Sequence, residues 1–179
     1  MLTADQVVLV VVDVQGKLAQ LMTDRETLFA NLRRMIQGAR ALDVPVIWVE
    51  QLPDKLGPSI PDVAQQLRDQ QPISKATFSC GGSEEFNAAL QATGRRQVLL
   101  TGIETHICVY QTAGDLLSAG YGVELVTDAT SSRFAHNKRL GVDKMQRLGA
   151  TLTSTEMVLF ELLGTAAHPA FRSIQQIVK

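Results

Sequence analysis

Three residues of this 179-residue chain pair a reactive side chain with a position where chemistry could use it: Cys108, Asp13 and Lys75. Cys108 falls in the first turn of a helix if Thr105 is its N-cap. There the unpaired N–H groups and the helix dipole favour an anion, the conditions that lower a thiol pKa and make a nucleophile. The same N–H groups could hold an oxyanion as it forms. Position alone, however, favours packing, since cysteine is among the most buried residue types. Asp13 ends the apolar run Val7–Val12. A carboxylate there is costly to bury unless it is paired or working, as a base toward a thiol or as a metal ligand. Its other reading is a cap on a following helix, Gln15–Met22. Lys75 follows a short apolar stretch. In a cleft with Asp and Cys it would favour their anions; otherwise it is a surface lysine.

The elements that place these residues alternate along the chain. Strands are predicted at Val7–Val12, Val44–Val49, Ile73–Ser74, Gln97–Thr101, Val123–Val126 and Ala150–Leu152. Helices are predicted over Thr23–Leu42, Ile60–Leu67, Ser83–Leu90, Thr105–Ser118, Phe134–Leu148, Ser154–Leu163 and His168–Val178. Six strand–helix alternations describe an α/β fold, a parallel sheet with helices on both faces. In such sheets ligands bind at the carboxyl ends of the strands, where strand order reverses. Gln15, Leu18, Gln51, Leu52, Phe78 and Ile107 lie near those ends and are candidates for a substrate pocket. Cys80 is read as a bystander. His106 is rejected as a partner of Cys108, because helix neighbours diverge by about 100°. His136 and His168 are read as surface residues, Asp128 as a turn or cap, and Met145 and Met157 as core.

Composition narrows the classes of function. Seventeen Lys+Arg against 18 Asp+Glu give a net charge of −1, unlike the basic face of a nucleic-acid binder. Two cysteines make no disulfide framework and suggest a reducing compartment. The longest apolar run falls far short of the ~20 residues that span a bilayer, and the N-terminus has no signal-peptide pattern. The expectation is one cytoplasmic domain spanning residues 1–179, with no membrane and no nucleic-acid partner.

The segments VVLVVVDVQ, ISKATFS and TGIETHICVYQTAGDLLSAGY, carrying Asp13, Lys75 and Cys108, resemble the isochorismatase-like cysteine hydrolase family. The closing stretch VTDATSSR…LTSTEMVLFELLG…HPAFRSIQQIVK is similar to its branch of isochorismatase domain-containing proteins of unassigned substrate. The resemblance implies a three-layer αβα sandwich whose six-stranded parallel sheet has the order 3-2-1-4-5-6. Asp13 and Cys108 then face each other across the reversal, with Lys75 reaching in from two strands away. It also implies a cis peptide at Ile103–Glu104 and an oxyanion hole from the N–H groups of Glu104 and Cys108. Members with the cysteine are mostly amidohydrolases. The implied activity is hydrolysis of a small amide-like C–N bond through a thioester, with an Asp13–Lys75–Cys108 triad, no cofactor and a homo-oligomeric assembly. The metal site of nicotinamidases needs histidines after strand two, and none precedes His106, so no metal is expected. Two alternatives stay open: a vinyl-ether hydrolase using Asp13 alone as acid, and a non-catalytic scaffold.

Overall fold

β-Branched residues lose little χ1 freedom in an extended chain and pack well on a pleated face. The run Val7–Val12 accordingly forms strand β1, with all six residues buried, as expected of a strand covered on both sides. The computed structural model describes residues 1–179. Its other strands are β2 (Val46–Gln51), β3 (Ile73–Lys75), β4 (Gln97–Ile103), β5 (Gly122–Ser131) and β6 (Thr151–Thr153). All pairings are parallel, and the order is β3-β2-β1-β4-β5-β6. Parallel neighbours need crossovers. These carry helices α1 (Gly16–Gln20), α2 (Arg25–Ala41), α3 (Pro53–Leu56), α4 (Pro61–Ala64), α5 (Glu84–Ala92), α6 (Tyr110–Ser118), α7 (Ala135–Leu148) and α8 (Thr155–Leu163), and the chain closes with α9 (Phe171–Val178). No helix is long and apolar enough to cross a membrane.

Successive strand residues point to opposite faces, and β1 shows what that builds. Val7, Leu9 and Val11 join a cluster of 27 buried residues with α2, α8 and α9. Val8, Val10 and Val12 join a second cluster of 18 with α5, α6 and α7. The result is the three-layer αβα sandwich. The chain builds outward from β1 to β3, then crosses to β4 on the other flank, so the reversal of strand order lies between β1 and β4. At that seam the backbones are close. Gly102 of β4 has φ +111°, and a Cβ there would lie 2.1 Å from the carbonyl oxygen of Val12.

Several boundaries differ from the sequence reading, each for a local reason. β2 runs on to Gln51, so Glu50 and Gln51 are ladder residues opposite Ser74 and Lys75. β5 continues past Val126 to Ser131. Two of its added polar residues are buried with partners, Thr130 on the Thr105 hydroxyl and Ser131 on the carbonyl of Thr23. The helix expected over Ile60–Leu67 shrinks to Pro61–Ala64, and the last helix starts at Phe171 instead of His168. Ser83 and Ser154 cap α5 and α8 by accepting from the N–H groups of Phe86 and Met157. Met145 is core, but Met157 is 63% exposed, because α8 turns its neighbours Val158 and Leu159 inward.

Candidate active site

β1 ends because Asp13 turns into the left-handed region at φ +54°, a conformation Asp tolerates better than most residues. Its side chain is buried. Lys75 closes β3 two strands away, and its side chain is also fully buried. The Lys75 ammonium donates to Asp13 Oδ2 at 2.7 Å, to Gln51 Oε1 at 2.6 Å, and to the carbonyls of Thr77 and Phe78 at 3.0 and 3.1 Å. An ammonium has three hydrogens, so the two carbonyls share one and none is left over. The other carboxylate oxygen, Asp13 Oδ1, is the one buried side-chain polar atom in the chain without a hydrogen-bond partner. Such atoms are rare and ask for an explanation.

Cys108 faces this carboxylate from the segment between β4 and α6. The expected N-cap at Thr105 is not formed. Residues Thr105–Val109 wind as a π-helical turn with Glu104 in the cap position, and the N–H groups of Ile107 and Val109 both donate to the Glu104 carbonyl. The Thr105 hydroxyl instead pairs with Thr130 at 2.8 Å. The Ile103–Glu104 peptide is cis. The Glu104 N–H donates to no protein acceptor, and its carboxylate is bound by Arg133 Nε at 2.7 Å.

Electrostatics correct a second expectation. The Cys108 thiol is pushed up, chiefly by burial and next by the negative charge of Asp13, with Lys75 opposing. Burial therefore works against the thiolate that a helix end was expected to favour. Asp13 is likewise raised by burial, against the pull of Lys75, with Glu50 adding to the rise. Thiol and carboxyl lie close enough to shift one another, although no hydrogen bond reaches Oδ1.

These groups border a cavity of about 230 Å³ at the carboxyl ends of β1 and β4. Carbon forms most of its wall, from Leu18, Leu56, Phe78, Ile103 and Ile107; Asp13, Gln51, Glu104, Cys108 and Arg133 supply the polar points. Larger depressions exist, such as one of about 370 Å³ beside Arg96 and Tyr121, but they hold no buried ion pair. Of the expected pocket residues, Leu18, Gln51, Phe78 and Ile107 reach the wall. Gln15 and Leu52 do not. Gln15 is fully buried, its amide tied to the Gln51 backbone and to the carbonyl of Gly57. Leu52, at φ +39°, is not part of the wall. Leu56 and Arg133 escaped the sequence reading, and Ile103 was named there for the cis peptide and not for the wall; extending strand five through its hydroxyl residues would have brought Arg133 to a strand end. His106 bonds Ser132 through Nδ1 at 3.0 Å. Asp128 caps α8 by accepting from the Thr155 N–H and hydroxyl. Cys80 is buried, its thiol pushed up to about 12 by desolvation.

The profile of the Isochorismatase domain matches residues 7–157. The chain belongs to the isochorismatase family. Among relatives, isochorismatase domain-containing protein 2 of Xenopus laevis is 37% identical over 171 residues, covering 96% of this chain and 82% of the relative. The secreted isochorismatase effector Isc1 of Phytophthora sojae is 35% identical over 176 residues, covering 96% and 84%. Among solved structures, MAR1 ribonuclease of Caenorhabditis elegans superposes with a TM-score of 0.93 at 34% identity, covering 99% of this chain and 91% of the other. This isochorismatase-family chain is therefore a hydrolase, with its buried ion pair and thiol at the sheet's reversal point.

Proposed function

We propose that the chain hydrolyses a small amide-like C–N bond through a thioester on Cys108, with Asp13, Lys75 and Cys108 as the catalytic triad. One observation carries this reading: Asp13 holds Lys75 with one oxygen and keeps the other buried and unpartnered beside the thiol. Asp13 Oδ1 takes the proton from Sγ as sulfur attacks the carbonyl carbon. One negative charge stays beside the Lys75 ammonium whichever of the two atoms bears it, so a thiol protonated at rest is still a competent nucleophile. The oxyanion is held by the N–H groups of Glu104 and Cys108. The C–N bond breaks as Asp13 returns the proton to nitrogen, releasing ammonia or an amine. Water then gives a proton to Asp13, its oxygen attacks the thioester, and the C–S bond breaks as the proton returns to sulfur. Net, one water splits one amide into acid and amine.

The small, mostly carbon wall fits a compact acyl group, with Arg133 as its polar contact, and Leu18, Gln51, Phe78 and Ile107 shaping it. Cleavage of a phosphodiester, as the name of the nematode relative describes for that protein, fits this wall less well, since Arg133 is its one cation. Exposed Leu21, Phe134, Leu140 and Leu148 support a homo-oligomer, because such residues gain from being covered; light scattering tests this. Two free buried cysteines fit a cytoplasmic setting. The deciding experiment screens small amides for ammonia release, with pyruvate release from a vinyl ether and RNA cleavage as parallel arms. Cys108→Ala abolishes turnover of the amide found. Activity retained in that variant defeats the covalent route, and pyruvate release without ammonia release favours Asp13 acting alone as acid.

A further inference from the structure

The Lys75 ammonium has three hydrogens, and their destinations decide which oxygen of Asp13 is left free. One goes to Asp13 Oδ2, one is shared by the Thr77 and Phe78 carbonyls, and the third goes to Gln51 Oε1 at 2.6 Å. Gln51 is held so that it offers an oxygen there. Its Nε2 donates to the carbonyl of Ala76 at 2.7 Å, which turns the amide oxygen toward Lys75, since an amide donates only through nitrogen. Its backbone is fixed as well. The Gln51 N–H donates to Gln15 Oε1 at 2.6 Å, and the Gln51 carbonyl accepts from Gln15 Nε2 at 3.1 Å. The β2–β3 ladder sets Gln51 directly opposite Lys75. The tips of three adjacent strands are thereby joined through side chains, from Gln15 to Gln51, Lys75 and Asp13.

We propose that Gln51 is a positioning residue for the reaction: by engaging the third Lys75 hydrogen with a neutral acceptor, it keeps that hydrogen off Asp13 Oδ1 and preserves that oxygen as the base. This rests on the assignment of Asp13 as base and Cys108 as nucleophile. Without an acceptor at 51, the released hydrogen is free to turn to Oδ1, the one buried side-chain acceptor with no partner. Asp13 is then held by two charge-assisted bonds and becomes a weaker base. With a carboxylate at 51, two acids divide one ammonium, and Asp13 holds its proton more tightly. The charged and titratable groups around Asp13 are Lys75 on β3, Glu50 on β2, Cys108 on the turn before α6, Cys80 on the short turn Cys80–Gly82, and across the cavity Glu104 after β4 paired with Arg133 after β5. Only Lys75 is both buried and hydrogen-bonded to it.

The test is a carboxyl-carbon NMR titration of Asp13, assigned with Asp13→Asn, in the native protein, Gln51→Met and Gln51→Glu. Met is close to Gln in shape and adapts to its surroundings. The Asp13 midpoint is expected to fall by about one pH unit in Gln51→Met and to rise by a similar amount in Gln51→Glu. With a turned-over amide, the acid limb of kcat/KM moves in the same two directions, and Gln51→Met lowers kcat about tenfold with KM nearly unchanged. A merely structural role for Gln51 would lower stability in both variants without opposite movements. Midpoints that stay put, or move the same way in both, overturn the proposal. Failure of the thioester reading shows separately, as turnover surviving Cys108→Ala, while the carboxyl titration still reports on Gln51.

Discussion

Replacing Gly102 by alanine strikes the seam between β1 and β4, one residue before Asp13 on one strand and two before Glu104 on the other. The new Cβ would lie 2.1 Å from the Val12 carbonyl oxygen and 2.6 Å from the Val12 nitrogen, where ordinary contact begins at 3.4 Å. Both neighbours are backbone, so no side chain can swing aside. Relief needs the strands to part by about 1.3 Å, the gap between those contact distances. Alanine at φ +111° adds backbone strain of about 1–3 kcal/mol, and forced separation of a packed pair adds about 1–3 kcal/mol. The expected loss is about 2–6 kcal/mol, a fall in Tm of roughly 10 °C at mid-range for a chain of this size. Because the parting lies between Asp13 and the Glu104 N–H, kcat/KM should also fall about 100-fold, as misplacements near 1 Å do. Calorimetry with urea unfolding reads the first effect, and ammonia release reads the second. A Gly102→Ala protein melting within about 2 °C of native, with normal turnover, would refute the close-approach argument.

Other perturbations give equally definite outcomes. Asp13→Asn leaves the Lys75 charge buried without its counter-ion and should cost about 3 kcal/mol in urea unfolding, partly recovered when Lys75→Met is added; turnover falls at least about 100-fold. Cys80, held at about 12 against an ordinary 9.0, and Cys108, also raised, keep their protons in the folded state while unfolded thiols ionise. The folded chain binds more protons above pH 9, so this contribution is intact below that pH and is lost as pH rises, by about 1.4 kcal/mol per pH unit for each thiol. Cys80→Ala should flatten the fall measured by urea unfolding between pH 9 and 11. Gly141→Ala would set a Cβ 2.9 Å from the His106 Cα, pressing α7 onto the turn that bears Cys108. The alkylation rate of Cys108 by iodoacetamide should change at least about threefold, roughly the effect of 0.7 kcal/mol on a barrier.

The strands were legible where burial demands an unbroken apolar run, as in Val7–Val12, and Asp13 was conspicuous because a charge ends that run. β5 was read five residues short because Thr127, Asp128, Thr130 and Ser131 look like a loop. They are instead satisfied by partners far along the chain, such as the Thr153 carbonyl for Thr127. The π-helical turn at Thr105–Val109 has no periodic signature in five residues, so the start of the helix was misplaced and the thiol was given too acidic a setting. Gln51 was visible as a strand-end residue, but its partners Gln15, Lys75 and Ala76 lie 36, 24 and 25 positions away. Spacing along the chain does not encode that convergence. The fold follows from local pattern, whereas the polarity of the site follows from where strand tips happen to meet.

β3 contains three residues and is held to β2 by the pairs Val49–Ile73, Glu50–Ser74 and Gln51–Lys75. Side chains alternate faces along a strand, so a slip of a single position would carry the lysine to the opposite side of the sheet. The segment joining the two strands, which makes only the short helices α3 and α4 and turns on the way, is not bound by that alternation. Between its own anchors, such as the Gly57 carbonyl on Gln15 and the buried Ile60, Val63 and Leu67, evolution can redecorate that excursion and so remodel the rim of the cavity, provided the terminal triplet lands in phase.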